Sequence, residues 1–522
     1  MAAIVTDQFR VLNAKNFVDS VKDPNNSYYI FLGLANPTPS NVGYGRITDW
    51  NTNIPSPEDS LSYVNHVKDT AIFGKKITSD NVRRLIRKVE WTKNTIYEMY
   101  RHDYSVSNQS QKTNSNRLYD ANYYIINKDF RVYVCIDNGS RDTNRLGNPS
   151  QDEPSFVDLE PSRAGESGDG YIWKYMFTVS PSDIVKFDSI EYVPVPADWE
   201  TTDNSDIKAI RKSADSSINE NQIKKVFIEN SGSGYTQSSE TLNIVGDGSG
   251  AKVLIDVVGG KINDVIVSSG GKDYTYGRVD LSPINQGATS FAHLIPIIPP
   301  SRGHGYDIYT ELGCERVLLY ARFDDSTKDF PSDVKFSQIG ILKNPTIYGS
   351  GDTQYTESTF SNLGSLKLID NTISQSEFAI PGTKIYQSIT GVGTAVAYIA
   401  SYDDETKILK YFNDRSLYYN TLSYDQKDSK DVFENGRPIG FSTAGGLITT
   451  SSGFSAGIDP SFNQTTFDVS DSKTIDLNSS FSNGISLPEI NKRTGDVVYI
   501  DNRPIVNRNP KQKEDIKIVL EF

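Results

Sequence analysis

Residues 168–177 read Gly168-Asp169-Gly170-Tyr171-Ile172-Trp173-Lys174-Tyr175-Met176-Phe177. A Gly-Asp-Gly turn launches a run in which Tyr171, Trp173, Tyr175 and Phe177 recur at every second position, the period of a pleated strand. Four aromatic rings on one face bury about 600–1,000 Å², at about 150–250 Å² each. At about 25 cal/mol per Å² that is a large share of one domain's hydrophobic driving force. The run therefore predicts a strand at the centre of a β core.

The same period extends to other segments. Phe130, Val132, Val134 and Ile136 alternate with Arg131, Tyr133 and Cys135. In 316–323 (RVLLYARF) both faces are apolar, which predicts a strand buried on both sides. Ile516, Ile518, Leu520 and Phe522 alternate with Lys517, Val519 and Glu521, so Phe522 is expected inside a sheet. A second motif resembles the first in design: Gly495-Asp496-Val497-Val498-Tyr499-Ile500-Asp501-Asn502-Arg503-Pro504-Ile505. It is apolar on both faces and runs into an Asn-Arg-Pro corner, where Pro504 is expected to stop further pairing. Helical periodicity is scarce. A short helix is expected over 14–21, with Phe17, Val18 and Val21 on one face and Asn13 as its cap. Ser79 or Asp80 caps a second, because Val82, Leu85, Ile86 and Val89 recur at helical spacing; 89–100, rich in Trp, Tyr, Thr and Ile, then continues as extended chain. The fold class is mainly β, a β-sandwich-like core with a few short helices and two inserted small β domains.

The first insertion is an internal repeat. Ile223, Val226, Ile228, Gly232, Tyr235 and Thr236 recur as Ile262, Val265, Val267, Gly271, Tyr274 and Thr275, each 39 positions later. Two copies of one supersecondary unit are expected to stack or pair, forming a module over 221–282. The second insertion, 349–484, begins where the chain becomes rich in Ser, Thr, Asn and Gly, a character that lasts to about 487. Its β-runs at 395–399 and 408–412 predict a small barrel or sandwich with long surface loops. The remaining segments, 1–220, 283–348 and 485–522, form one discontinuous core.

At 522 residues the chain has room for about three to four domains. Its net charge of −13 argues against wrapping duplex DNA, which needs clustered Lys and Arg to displace counterions, and against an anionic membrane as partner. Hydrophobic residues make up only 37%, but 30 Tyr, 23 Phe and 4 Trp supply the aromatic area a β core can bury. No run of about 18 apolar residues occurs, and MAAIVTDQFR lacks a signal-peptide pattern, so a soluble protein made in a cytoplasm is expected. Cys135 and Cys314 allow one disulfide or two reduced thiols, the latter favoured in a reducing compartment. His66, His102, His293 and His304 fit no metal spacing, and no cofactor is expected.

Motifs that would carry chemistry are weak. Gly453-Phe454-Ser455-Ala456-Gly457 matches the nucleophile-elbow string, yet Asp459-Pro460 follows too soon for the helix that mechanism needs. Gly246-Asp247-Gly248-Ser249-Gly250 lacks a Walker lysine and precedes a strand-like run, so it reads as a turn. Asp324-Asp325 and Asp403-Asp404 are adjacent pairs whose side chains diverge on a strand, and solvated turns or a calcium ligand are the readings left for them. The aromatic wealth is assigned mostly to core, with a ligand platform as the alternative.

In the order of their motifs, these segments resemble the gene-8-type baseplate wedge proteins of T-even-like contractile-tailed bacteriophages. The likeness rests on Gly168, Asp169, Gly170, Tyr171, Trp173, Tyr175 and Phe177, and on Gly495, Asp496, Tyr499, Asn502, Arg503 and Pro504. Ala3-Ile4-Val5-Thr6, Phe9-Arg10, Asn16-Phe17, Ile190-Glu191-Tyr192-Val193 with Pro194 and Pro196, and Phe336-Ser337-Gln338-Ile339 with Asn344-Pro345 agree as well. It covers about 1–220, 283–348 and 485–522 and neither insertion. The resemblance implies a mainly β structural subunit without catalytic residues, cofactor or metal. It also implies a homodimer that joins other wedge proteins in the virion, is assembled in the host cytoplasm, and transmits the rearrangement of tail contraction. For the insertions, which the resemblance does not cover, tail fibre components, neighbouring wedges or host glycans are the contacts to be expected on a virion surface. Two other classes compete: a receptor- or glycan-binding module carried by the insertions, and a tail-associated glycan hydrolase with paired carboxylates.

Overall fold

A computed structural model describes residues 5–34, 50, 54–324, 335–369, 383–404, 406–413, 433–434, 437–450, 453–470, 473–477, 479–492, 494–507 and 513–522. The fold is mainly β, with 40% strand, 12% helix and several separate sheets. Two compact units share the chain: Met1–Val18, Arg83–Leu318 and Ile518–Phe522 form the first, Asp19–Val82 and Leu319–Lys517 the second. The expected core segments are distributed over both. The 221–282 module lies in the first unit and 349–484 in the second.

In the first unit the strand Tyr171–Thr178 pairs with Arg131–Asn138, which pairs in turn with Tyr124–Ile126, all antiparallel. The four aromatics of the opening motif are buried, and Tyr171 stacks on Trp173 with centroids 5.2 Å apart and planes 12° from parallel. Lys174 and Met176 are buried too, so this strand is covered on both sides rather than on one. Two register shifts, between Val132 and Tyr133 and between Cys135 and Asp137, break the simple alternation that the sequence suggests. Cys135 and Cys314 are unpaired and buried, and burial lifts Cys314 to about 12.

The repeat is realised as an exchange between its copies. Ile223 donates its N–H to Gly270 O at 3.0 Å, and Ile262 donates to Ser231 O at 3.1 Å, so the opening residue of each copy bonds to the same place in the other. Gly232 and Gly271 both sit at φ +60°. Tyr235 and Tyr274, three residues on, are buried, and their hydroxyls accept the N–H of Ala292 (2.8 Å) and Ala251 (3.3 Å). The strand Val226–Asn230 pairs with His293–Pro296, and Lys261–Lys272 pairs with Ser249–Val258. Both ladders skip register at the same step, His293/Leu294 in one and Lys252/Val253 in the other. The module therefore does not end at 282: Ile284, Leu294 and Ile298 share its core. The trailing strands repeat as well, Ala251-Lys252-Val253-Leu254 matching Ala292-His293-Leu294-Ile295, and a two-residue change of spacing hides this from a fixed 39-residue offset.

In the second unit a five-stranded antiparallel sheet runs in the order Thr359–Ser361, Ala71–Ile77, Tyr28–Leu34, Lys335–Lys343, Asp496–Asn507. Tyr63 and Val67 of the helix Leu61–Thr70 pack with Tyr29 and Phe31 of this sheet. A seven-stranded sheet follows, built on Lys384–Ile389, Gly393–Asp403 and Ile408–Phe412, which includes the β-runs expected at 395–399 and 408–412.

Several expectations are corrected. The first helix is Asp7–Lys22 rather than 14–21, because Val11, Ala14, Val18 and Val21 continue one buried stripe, and Asn13 lies inside it instead of capping it. Ser79–Asn81 is a single 3-10 turn, and Val82–Arg87 is a strand paired to Tyr192–Pro194, not a helix. Ladder hydrogen bonds and β-branched Val82 and Ile86 outweigh the helical spacing. The stretch 89–100 has no regular strand beyond one bridge from Glu90 to Ile126, although Tyr97, Met99 and Tyr100 are buried. Pro504 does not end pairing. Gln338 faces Asn502 and Phe336 faces Val506, so the proline falls in a bulge on what is, among the described strands, the edge of the sheet, where a missing N–H is tolerated. The terminal strand Lys513–Glu521 buries Ile516 and Ile518, and Phe522 packs against Phe17 at 5.5 Å.

A Cβ on Gly232 would lie 2.7 Å from Ser290 O and one on Gly271 2.5 Å from Ser249 O. Gly232→Ala and Gly271→Ala are each expected to cost about 2–3 kcal/mol in urea unfolding. Loss from only one of them would show that the two copies are not mechanically equivalent.

Candidate functional site

The two motifs singled out by sequence lie in different units and serve backbone geometry. Gly168 and Gly170 take φ +69° and +90°. Between them Asp169 accepts from Tyr171 N (3.0 Å) and Gln151 N (2.8 Å), while its carbonyl accepts from Asn148 Nδ2 (2.7 Å). Tyr171 O–H donates to Asn148 O at 2.7 Å and accepts from Tyr97 N at 2.9 Å. The turn is thus a clamp on the 138–151 loop. In the second unit Gly495 (φ +68°) packs where a Cβ would meet Lys343 O at 2.5 Å. Asn502 is 7% exposed: its Nδ2 donates to Pro55 O at 2.8 Å, its Oδ1 accepts from Gln338 Nε2 at 2.8 Å, and Tyr63 O–H is within 3.1 Å of that Oδ1. Asp496 faces Lys343 across the ladder, Tyr499 faces Ile341, and Arg503 pairs locally with Asp501 at 2.5 Å.

Buried ionisable groups in the first unit are likewise committed to structure. Glu98 accepts from the N–H groups of Lys112, Thr113 and Asn122 at 2.7–3.1 Å. Glu311 accepts from His304 Nδ1 and Gly305 N, both at 2.7 Å, in a pair shielded from solvent. Lys174, within the aromatic strand and 3% exposed, donates to Leu159 O. Burial pushes its ammonium down to about 8 against the pull of Glu160, with Lys224 adding to the push and Glu311 opposing it.

The strings that suggested chemistry resolve as follows. Ser455 is exposed on the two-residue edge strand Ser455–Ala456, and among the described residues no helix follows it. In the 246–250 turn Asp247 accepts from Thr275 Oγ1 (2.5 Å), Thr275 N (3.0 Å) and Tyr276 N (3.2 Å), and these bonds, the Thr275 hydroxyl's first, hold its carboxyl at about 2. Asp403 accepts from Thr406 Oγ1 and Asp404 pairs with Lys407, both at 2.7 Å, as turn residues do. Asp325 lies outside the described residues. Among the described residues no group of three His, Cys, Asp or Glu side chains is placed to hold a metal ion, and no helix is long and apolar enough to cross a membrane.

Two features were not foreseen. The first is an apolar ridge on the helix Asp7–Lys22: Phe9 and Leu12, with Val5 just before it, stand about half exposed on the side away from the buried stripe. The alternation of two apolar faces was legible, but not which one the fold would cover. The second is a cavity of about 220 Å³ in the second unit. Its apolar lining includes Tyr348, Tyr411, Phe441 and Leu487, and its polar lining Asp69, Asn413, Asn491 and Lys492. These come from five separate stretches of chain, so no local motif announces them. No model of a known protein family matches the chain, and no curated protein matches it.

Between pH about 8 and 10.5 the unfolded chain holds the proton that folded Lys174 has released, so stability rises with pH in that window. Relative to Lys174→Met, the gain in urea-unfolding free energy is expected to be on the order of 3 kcal/mol across it. A difference between the two proteins that stays flat from pH 7.5 to 10.5 would refute this.

Proposed function

We propose that the chain is a structural subunit of a phage tail baseplate wedge, a homodimer that joins neighbouring wedge proteins through extended β-rich surfaces and passes on the rearrangement of tail contraction. The observation that carries this reading is the ridge of Phe9 and Leu12 on the first helix, with Val5 just before it, large apolar side chains left about half exposed. Contiguous apolar surface of this kind marks an association site, and a self-complementary patch is what a twofold pair requires.

The mainly β architecture and the ordered series of motifs that resembles the wedge proteins support the same reading. So does the use of Glu98, Asp169 and Glu311 as acceptors for loop N–H groups, which leaves them committed to scaffolding. In this role the chain needs no cofactor, and its place is the virion, with assembly in the host cytoplasm. A hydrolase asks for two carboxylates flanking one cleft, whereas among the described residues that line the cavity Asp69 is the one carboxylate.

The purified chain is expected at about twice its 58.0 kDa by light scattering. The double variant Phe9→Glu, Leu12→Glu is expected to be monomeric with an unchanged far-ultraviolet circular dichroism spectrum, because both side chains are already about half in water. A wild-type chain that stays monomeric at tens of micromolar, alone and with co-expressed baseplate proteins, would overturn the proposal.

A further inference from the structure

The cavity of the second unit has the makings of a built binding site. Its volume of about 220 Å³ holds about seven waters at about 30 Å³ each, the space of one sugar ring with its hydroxyls. Tyr348 forms a wall and is 42% exposed, but its backbone is fixed on both sides. Asn491 donates to Ile347 O at 2.9 Å and accepts from Gly349 N at 3.0 Å, and Tyr348 N donates to Glu489 O at 2.9 Å. An exposed ring on a clamped backbone is a preorganised platform, which lowers the ordering cost of binding.

Tyr411 and Phe441 meet edge to face on the apolar side of the cavity, 4.9 Å apart at 77°. This makes a corner rather than the flat slot that a nucleobase would fill. Asn413 spends one amide N–H on Val396 O at 2.9 Å and keeps its carbonyl oxygen and second N–H for a ligand. Among the described lining residues Asp69 and Lys492 contribute one charge of each sign, which balance. Ring faces for C–H groups, an amide that both donates and accepts, and balanced charges among the described lining residues together describe a polyhydroxylated ligand with one apolar face.

We propose that this cavity binds a neutral saccharide unit, with Tyr348 as its stacking platform and Asn413 as a hydrogen-bonding partner. The site stands independently of the wedge assignment, since it needs neither dimer nor neighbour. By contrast, the shallow depression beside Ile190 in the first unit offers Lys88, already paired to Asp188 at 3.0 Å.

Saturation-transfer NMR on the full chain with neutral hexoses, N-acetylhexosamines and their oligosaccharides tests the proposal. At least one of them is expected to bind, with about tenfold weaker affinity in Tyr348→Ala and a smaller loss in Asn413→Ala. Tyr386→Ala, which truncates a tyrosine exposed elsewhere in the same unit, is expected to bind as wild type. The melting temperature of Tyr348→Ala should match wild type. Free monosaccharide and polymer-derived oligosaccharide binding would each support the site, the second pointing to a surface glycan as its source. Failure of every sugar to bind, sugar binding indifferent to Tyr348→Ala, or displacement of bound sugar by adenosine or uridine would overturn it.

Discussion

A peptide group removed from water must find a hydrogen-bond partner, and much of the buried backbone in this chain lies outside its strands. Tyrosine meets that demand repeatedly. Tyr119, Tyr123, Tyr133 and Tyr309 sink their rings and donate their hydroxyls to the carbonyls of Thr310, Glu311, Phe156 and Pro196 at 2.5–2.7 Å. Burial lifts the Tyr133 and Tyr309 hydroxyls to about 12, so they remain donors at any physiological pH. Glu98, Asp169 and Asn502 do the same work from the acceptor side or from both. The abundance of Tyr thus has a physical reason beyond area: a long apolar ring with a polar tip can be core and loop staple together.

That dual use also sets what could be read in advance. Alternation over 130–136, 171–177 and 516–522 marked strands because each residue there answers to one local rule, side or opposite side. The spacing of Val82, Leu85, Ile86 and Val89 fits a helix and a half-buried strand equally, and only the partner strand Tyr192–Pro194 decides between them. Asn502 was visible as a motif residue, but its role depends on Pro55, Tyr63 and Gln338, which lie at least 164 residues away in sequence. The cavity was invisible for the same reason. Tyr348 and Leu487 stand at the two ends of the Ser- and Asn-rich segment, where composition changes, and that edge is the signal that pointed nearest to it.

The proposed saccharide site and the apolar ridge show two ways a surface can be left unfinished. At Tyr348 the backbone is fixed and the ring is exposed, so little freedom is lost when something lands on it. At Phe9 and Leu12 the helix turns a second apolar face to water, where exposure of apolar area is itself the driving force for association.

The reciprocal bonding of the repeat has an ancestral implication. Each copy directs the N–H of its first residue into its sister, and each glycine turn is closed by the strand that follows the other copy. A half-length polypeptide carrying one copy would hold these groups unmatched until it met a twin. Joining both in one chain replaces that bimolecular encounter with a tethered one at high effective concentration, which frees either half to diverge in sequence without losing its mate.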